Sequence, residues 1–155
     1  MQYEISTDPA RLDRELIHRF LSEESYWARG RSREIVDRGI DHSINFGAYD
    51  GDGAQVAFAR VVTDRCTFAW IADVFVIPEH QGHGLGKRLV ESILAHPELR
   101  VMGRWLLGTA DAHGLYSRYG FDPLERTERF MARETPIDRD ACASGGDQPA
   151  ERVQG

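Results

Sequence analysis

Between residues 11 and 21 the apolar side chains Leu12, Leu16, Ile17, Phe20 and Leu21 recur at intervals of three and four, the spacing that lines one face of a helix. Thr7-Asp8-Pro9 precedes them as a helix start, a capping oxygen followed by a proline suited to an early helical position. Residues 2–6 alternate and predict a short strand. Residues 25–39 repeat the helical spacing more weakly through Trp27, Ile35 and Val36, broken at Gly30 and stopped at Gly39. A helix-loop-helix able to serve as a mobile flap is expected there. The period then changes. Residues 43–49, 55–62 and 67–77 are rich in β-branched and aromatic side chains and are joined by Asp50-Gly51-Asp52-Gly53 and Asp64-Arg65, which predicts three consecutive antiparallel strands. Residues 85–94 carry a helical stripe at Leu85, Leu89, Val90, Ile93 and Leu94, ended by His96-Pro97. A strand over 104–109, a short helix over 111–119 closed by Gly120, and strand pieces at 121–124 and 130–133 complete the series. The order β-α-α-β-β-β-α-β-α-β-β predicts one α/β (α+β) domain over residues 1–134, its central sheet mixed but mostly antiparallel and flanked by helices. Residues 135–155 hold no aromatic side chain and too little apolar surface to order themselves, so a disordered tail is expected.

Composition narrows the function classes. A chain of 155 residues, 41% apolar, suits a single core rather than two. With 19 Lys and Arg against 25 Asp and Glu the net charge is −6, which argues against a nucleic-acid binder and makes a cationic small molecule the more natural partner. Cys66 and Cys142 are too few and too far apart for a disulfide framework or a thiolate zinc site, and are expected as free thiols in the cytoplasm. No window has the run of about 18 apolar residues that a membrane span needs. The oligomeric state is open, a homodimer being the commonest assembly.

The densest chemical signal is the run from Ile77 to Arg88. Gly82, Gly84 and Gly86 at alternate positions, between a strand and a helix, let several backbone N–H groups converge where the helix end adds partial positive charge, a geometry that binds phosphate. A plain turn would need one glycine. It would also leave Lys87-Arg88 unexplained in a first turn, where the helix dipole disfavours cations by about 0.3–1 kcal/mol. A P-loop is excluded because Lys87 is followed by Arg88 rather than a hydroxyl, and a dinucleotide fingerprint because Lys87 stands where its third glycine belongs.

What remains is Gln-x-x-Gly-x-Gly at Gln81, Gly84 and Gly86, after the strand 73–79. This resembles the acyl-CoA-binding signature of the GNAT superfamily of acetyl-CoA-dependent N-acetyltransferases. A second stretch, residues 109–121, is similar to that superfamily's late helix: Ala112, Leu115, Tyr116, Gly120 and Phe121 match, while Thr109 stands where asparagine is usual. The resemblance covers nearly all of the chain except the tail, and implies a GNAT-like single domain.

The resemblance implies a site. Backbone N–H groups of Gln81, Gly82, His83, Gly84, Leu85, Gly86 and Lys87 would hold the CoA pyrophosphate, and the strand edge at Val74, Phe75 and Val76 would pair with the pantetheine arm. Tyr116 would protonate the departing thiolate, although a core tyrosine with a satisfied hydroxyl is the plain alternative. His113, three residues earlier on roughly the same helix face, would border acetyl-CoA. The positions where the superfamily often keeps its base are Trp70 and Ala72, so the expected base is missing. Asp73 is the only carboxylate on the strand. Simple alternation points it to the wrong face unless a bulge re-aims it, and a structural role is the alternative. Tyr26, Trp27 and Arg29 sit where the superfamily places its acceptor wall, where cation-π contact would favour a cationic amine; Trp27 could equally pack a helix onto the sheet. His80 and His83 lack partners at metal-ligand spacing, so no metal is expected. The resulting expectation is an N-acetyltransferase moving acetyl from acetyl-CoA to a small-molecule primary amine by direct attack. The other reading is a non-catalytic acyl-CoA-binding or sensing domain.

Overall fold

The structure, a computed structural model, describes residues 2–136. Most of the expected disordered tail therefore lies outside the described residues. Strands β1 (Glu4–Ser6), β2 (Ile44–Tyr49), β3 (Gln55–Thr63), β4 (Ala69–Val76) and β5 (Trp105–Leu107) form one sheet in sequential order. All neighbours are antiparallel except β4 and β5, which run parallel. Helices α1 (Arg14–Arg19) and α2 (Arg33–Asp41) cover one face and α3 (Leu85–Ala95) the other. A short α4 (His113–Ser117) follows β5.

Two apolar cores result. Leu85, Leu89 and Ile93 of α3 pack with Phe46, Val56, Val61 and Ile71 of the sheet, while Ile17, Leu21, Val36 and Ile40 pack with Phe58 and Phe75. Each such side chain contributes about 1.5–3 kcal/mol when fully buried. Strand β3 lies between the two cores and is buried on both faces, which is why it reads as a nearly continuous apolar run.

Several expected elements differ. The capping oxygen of Asp8 starts only a 3-10 turn, Pro9–Arg11; α1 begins later because Asp13 accepts from Leu16 N–H at 2.9 Å, and its end widens into a π turn over Phe20–Glu24. No helix forms over 25–31. There the Ser25 hydroxyl donates to the Leu21 carbonyl and accepts from Ala28 N–H, and Gly30 takes φ +75°, so local bonds replace the helical ones. Helix α2 starts at the cap Ser32 and runs through Gly39. A lone glycine costs about 1 kcal/mol in a helix. Burial of Ile40 offsets that, and the bare face of Gly39 receives the Arg60 guanidinium, whose Cζ lies 3.6 Å from where a Cβ would stand. The closing strands at 121–124 and 130–133 are not formed: Pro123 cannot donate to a ladder, a 3-10 turn over Thr127–Arg129 separates the pieces, and Leu124, Phe130 and Met131 are exposed.

Candidate active site

Strand β4 positions most of the site through one irregularity. Opposite β3 its register runs Val76 to Ala57 and Phe75 to Phe58, then Ala72 to Arg60, so β4 carries an extra residue. That residue is Asp73, with φ +53°. Before the bulge, Ala69 and Ile71 face the α3 core; after it Val74 and Val76 do. The alternation shifts by one, and Asp73 swings to the opposite side.

There the carboxylate is fully engaged. Its Oδ1 accepts from Trp27 Nε1–H at 2.9 Å, and its Oδ2 from Arg31 Nη1 at 2.9 Å and Arg60 Nε at 2.6 Å. The Asp73 side chain is 4% exposed. Burial, the largest influence, pushes its pKa up, but Arg60, Arg31 and the Trp27 N–H together outweigh it and hold the group below the ordinary carboxylate range. Arg60 is steadied by the Ser43 hydroxyl, 3.1 Å away, which itself donates to the Gly39 carbonyl. The expected general-base role does not suit this geometry. A carboxylate committed to two arginines and an indole is a weak proton acceptor.

Strands β4 and β5 pair only from Ala69 with Trp105 to Ile71 with Leu107. Strand β5 ends there while β4 runs on to Val76, so the strands part and the β4 edge faces an open cleft of about 570 Å3. Tyr26, Trp27, Arg31 and Arg60 line one wall, Trp70 to Val74 the floor, and residues 107–112 with Tyr116 the other wall. The segment expected as a flap closes across this space, since the Tyr26 hydroxyl accepts from Ala110 N–H at 3.0 Å and Trp27 reaches Asp73. Tyr26 and Trp27 meet edge to face at 5.0 Å. Arg29 is exposed and does not line the cleft, a correction to the expected acceptor wall; Arg31 takes that place.

Tyr116 is buried on α4 against Phe121 and faces both this cleft and a second one, of about 670 Å3, beside β5. Burial, then Tyr26 and Asp111, push its phenol pKa up, so it stays protonated through the neutral range. His113 lines only the second cleft.

The glycine loop fits an anion. Gly82 and Gly84 take φ +79° and +77°, which favours glycine, and α3 starts directly after. The first N–H to find a helical acceptor is that of Arg88, bonded to the Gly84 carbonyl at 3.1 Å. The N–H groups of residues 82–87 have no acceptor among the described residues. Lys87 is exposed and makes no ion pair among them, whereas Arg88 donates to the Tyr3 carbonyl at 2.8 Å. The Gln81 side chain turns away from the loop to donate to the Val76 carbonyl, and His80 is held by the Tyr3 hydroxyl. No cluster of His, Cys, Asp and Glu among the described residues could hold a metal ion.

Residues 41–123 match a family model described as an acetyltransferase (GNAT) domain. A curated protein of Gibberella zeae, named as a provisional acetyltransferase, is 32% identical over 138 residues, 75% of this chain and 76% of its own length. A crystal structure from Xanthomonas campestris pv. campestris, described as belonging to the GNAT family, is 48% identical with a TM-score of 0.84 over 88% of this chain and 95% of that one. Arabidopsis thaliana glucosamine-6-phosphate N-acetyltransferase shares the fold, with a TM-score of 0.62 at 17% identity over 88% of this chain and all of that one.

Proposed function

The chain belongs to the GNAT acetyltransferase family, and from that premise we propose that it transfers acetyl from acetyl-CoA to a primary amine by direct attack. When bound, acetyl-CoA supplies the acyl group already activated as a thioester. The observation that carries the reading is juxtaposition: the β4 edge at Val74 and the Tyr116 phenol line the space opened where β4 and β5 part, and the loop 82–87, whose N–H groups have no acceptor among the described residues, reaches the same helix as the phenol, since a Cβ at Gly86 would stand 3.5 Å from Leu115.

Each residue then has a task. The loop 82–87 holds the pyrophosphate through backbone N–H groups, and Lys87 adds a cation beside them. The β4 edge from Val74 to Val76 pairs with the pantetheine amides. The amine nitrogen attacks the carbonyl carbon, a C–N bond forms, and the C–S bond breaks. Tyr116, kept protonated at neutral pH by its raised pKa, donates its proton to the departing sulfur as thiolate charge builds there and regains one from water. Asp73 serves as a positioning residue that locks Trp27 and Arg31 over the cleft. The amine's surplus proton leaves to water in the open cleft. The exposed free thiol of Cys66 supports a reducing, cytoplasmic setting.

The test is a mass balance. Purified protein given acetyl-CoA and a panel of primary amines is expected to release free thiol and N-acetyl product in equal amounts, with little thiol released when no amine is present. Tight acetyl-CoA binding without amine-dependent thiol release would replace this reading with the binding-domain one.

A further inference from the structure

The acceptor wall carries a surplus of positive charge. Asp73 neutralises one guanidinium, yet both Arg31 and Arg60 bind it, through a single shared oxygen. Arg31 donates only its Nη1 and Arg60 only its Nε and Nη1. The remaining guanidinium N–H groups of both have no acceptor among the described residues. Their side chains are 21% and 19% exposed, and both line the cleft. A purely structural clamp for Asp73 needs one arginine, and a second adds a desolvation cost with no matching charge.

The opposite wall has the complementary sign. Asp111 is exposed, lines the same cleft close to Tyr116, and makes no ion pair among the described residues. The half-exposed indole of Trp27 stands beside the arginines on their wall, and that of Trp70 lies on the floor between the walls. The cleft is therefore bipolar, with an anionic rim at the catalytic tyrosine, an apolar middle and a cationic far end.

We propose that Arg31 and Arg60 form an oxyanion subsite, so that the acceptor is an amine bearing a carboxylate or phosphate at its far end. This rests on the acetyl-transfer reading above, and it replaces the cationic acceptor suggested by the overall charge. The two guanidiniums take the oxyanion, the indoles cover the body of the molecule, and the amine lies toward Asp111 and Tyr116. A polyamine would place a second cation against the arginines, a juxtaposition that costs affinity.

γ-Aminobutyrate, ε-aminohexanoate and phosphoethanolamine, compared with γ-aminobutyramide, ε-aminohexanamide and ethanolamine, test it on the wild-type chain. Rates are expressed per unprotonated amine, because removing the carboxylate lowers the amine's own pKa. The expected result is a kcat/KM about tenfold or more higher for one anionic set, amino acid or phosphate, than for its neutral partners. Whichever set wins identifies the oxyanion. Arg31→Gln is expected to raise KM for that anionic amine by a similar factor and to affect the neutral partner far less; an equal effect on both would assign Arg31 to structure alone. Tryptophan fluorescence titration with CoA present reads binding without turnover. Preferential binding of the anionic amine with no acetylation would uphold the subsite and overturn the acetyl-transfer reading. Neutral partners that bind or react as well as the anions would overturn the subsite.

Discussion

At the scale of single residues, Asp73 joins backbone to function. Its φ of +53° is a conformation that aspartate and asparagine tolerate better than most side chains, and its carboxylate then meets Trp27, Arg31 and Arg60. Asp73→Asn keeps the backbone acceptable and removes the charge. Chemical denaturation at neutral pH is expected to show a loss of about 3 kcal/mol, the low end for breaking a buried ion pair because the arginines keep some solvent. The native pKa of Asp73 is depressed, so the stabilisation is fully present above the unfolded value near ~3.9 and is lost as pH falls through the lower native value. The gap between wild type and variant should accordingly narrow in acid. In kinetics, the variant's pH-rate profile should keep its shape, rising with the free amine. A selective recovery of turnover at high pH would reinstate Asp73 as the base. Little of this could be read from the chain alone. Alternation alone points Asp73 to the wrong face, and only the bulge re-aims it; Arg60 carries no signal in the sequence beyond being the lone charge in the apolar run 55–62.

Elements were more legible where one period ruled. The stripe of α3 and the three central strands lie within a residue or two of the sequence pattern, because burial on a regular face leaves a regular trace. The pattern failed where side chain to backbone bonds decide structure, as at Ser25 and Asp13, and at the closing strands, whose partners lie far away in sequence. The turn before α3 was readable because its glycines have a conformational reason, and this yields a paired prediction. Gly84 has φ +77° and open space around its missing Cβ, so Gly84→Ala is expected to cost about 1–2 kcal/mol of stability through strain alone. Gly84→Asp adds the same strain and sets a carboxylate where the pyrophosphate would lie. Calorimetry should then find CoA binding weakened little in the alanine variant and abolished in the aspartate variant. Equal affinities in the two would remove the phosphate role from this loop.

For the whole molecule, the arrangement makes binding and stability one problem. The cleft has walls from both sides of the sheet: the α1–α2 side contributes Trp27 and Arg31, and the chain after β5 contributes Asp111 and Tyr116. A ligand spanning the loop and the cleft ties these parts together. Saturating acetyl-CoA at a hundred times its dissociation constant should add about 2.7 kcal/mol and raise the melting temperature, and an unchanged melt would argue against binding in the folded state. The family was legible because its two motifs rest on contiguous residues. The charge of the acceptor wall was not, since Arg31, Arg60 and Asp73 meet only in the folded chain.

The central claim is that this cleft performs chemistry as well as binding, and the turnover of Tyr116→Phe measures it most directly. The substitution removes one hydroxyl from a buried ring and leaves its packing against Phe121. With acetyl-CoA and the best amine of the panel, kcat is expected to fall by roughly a hundredfold or more while acetyl-CoA affinity stays within a few-fold, the pattern of a lost transition-state interaction. A variant that turns over as fast as wild type would return Tyr116 to the core and contradict the account.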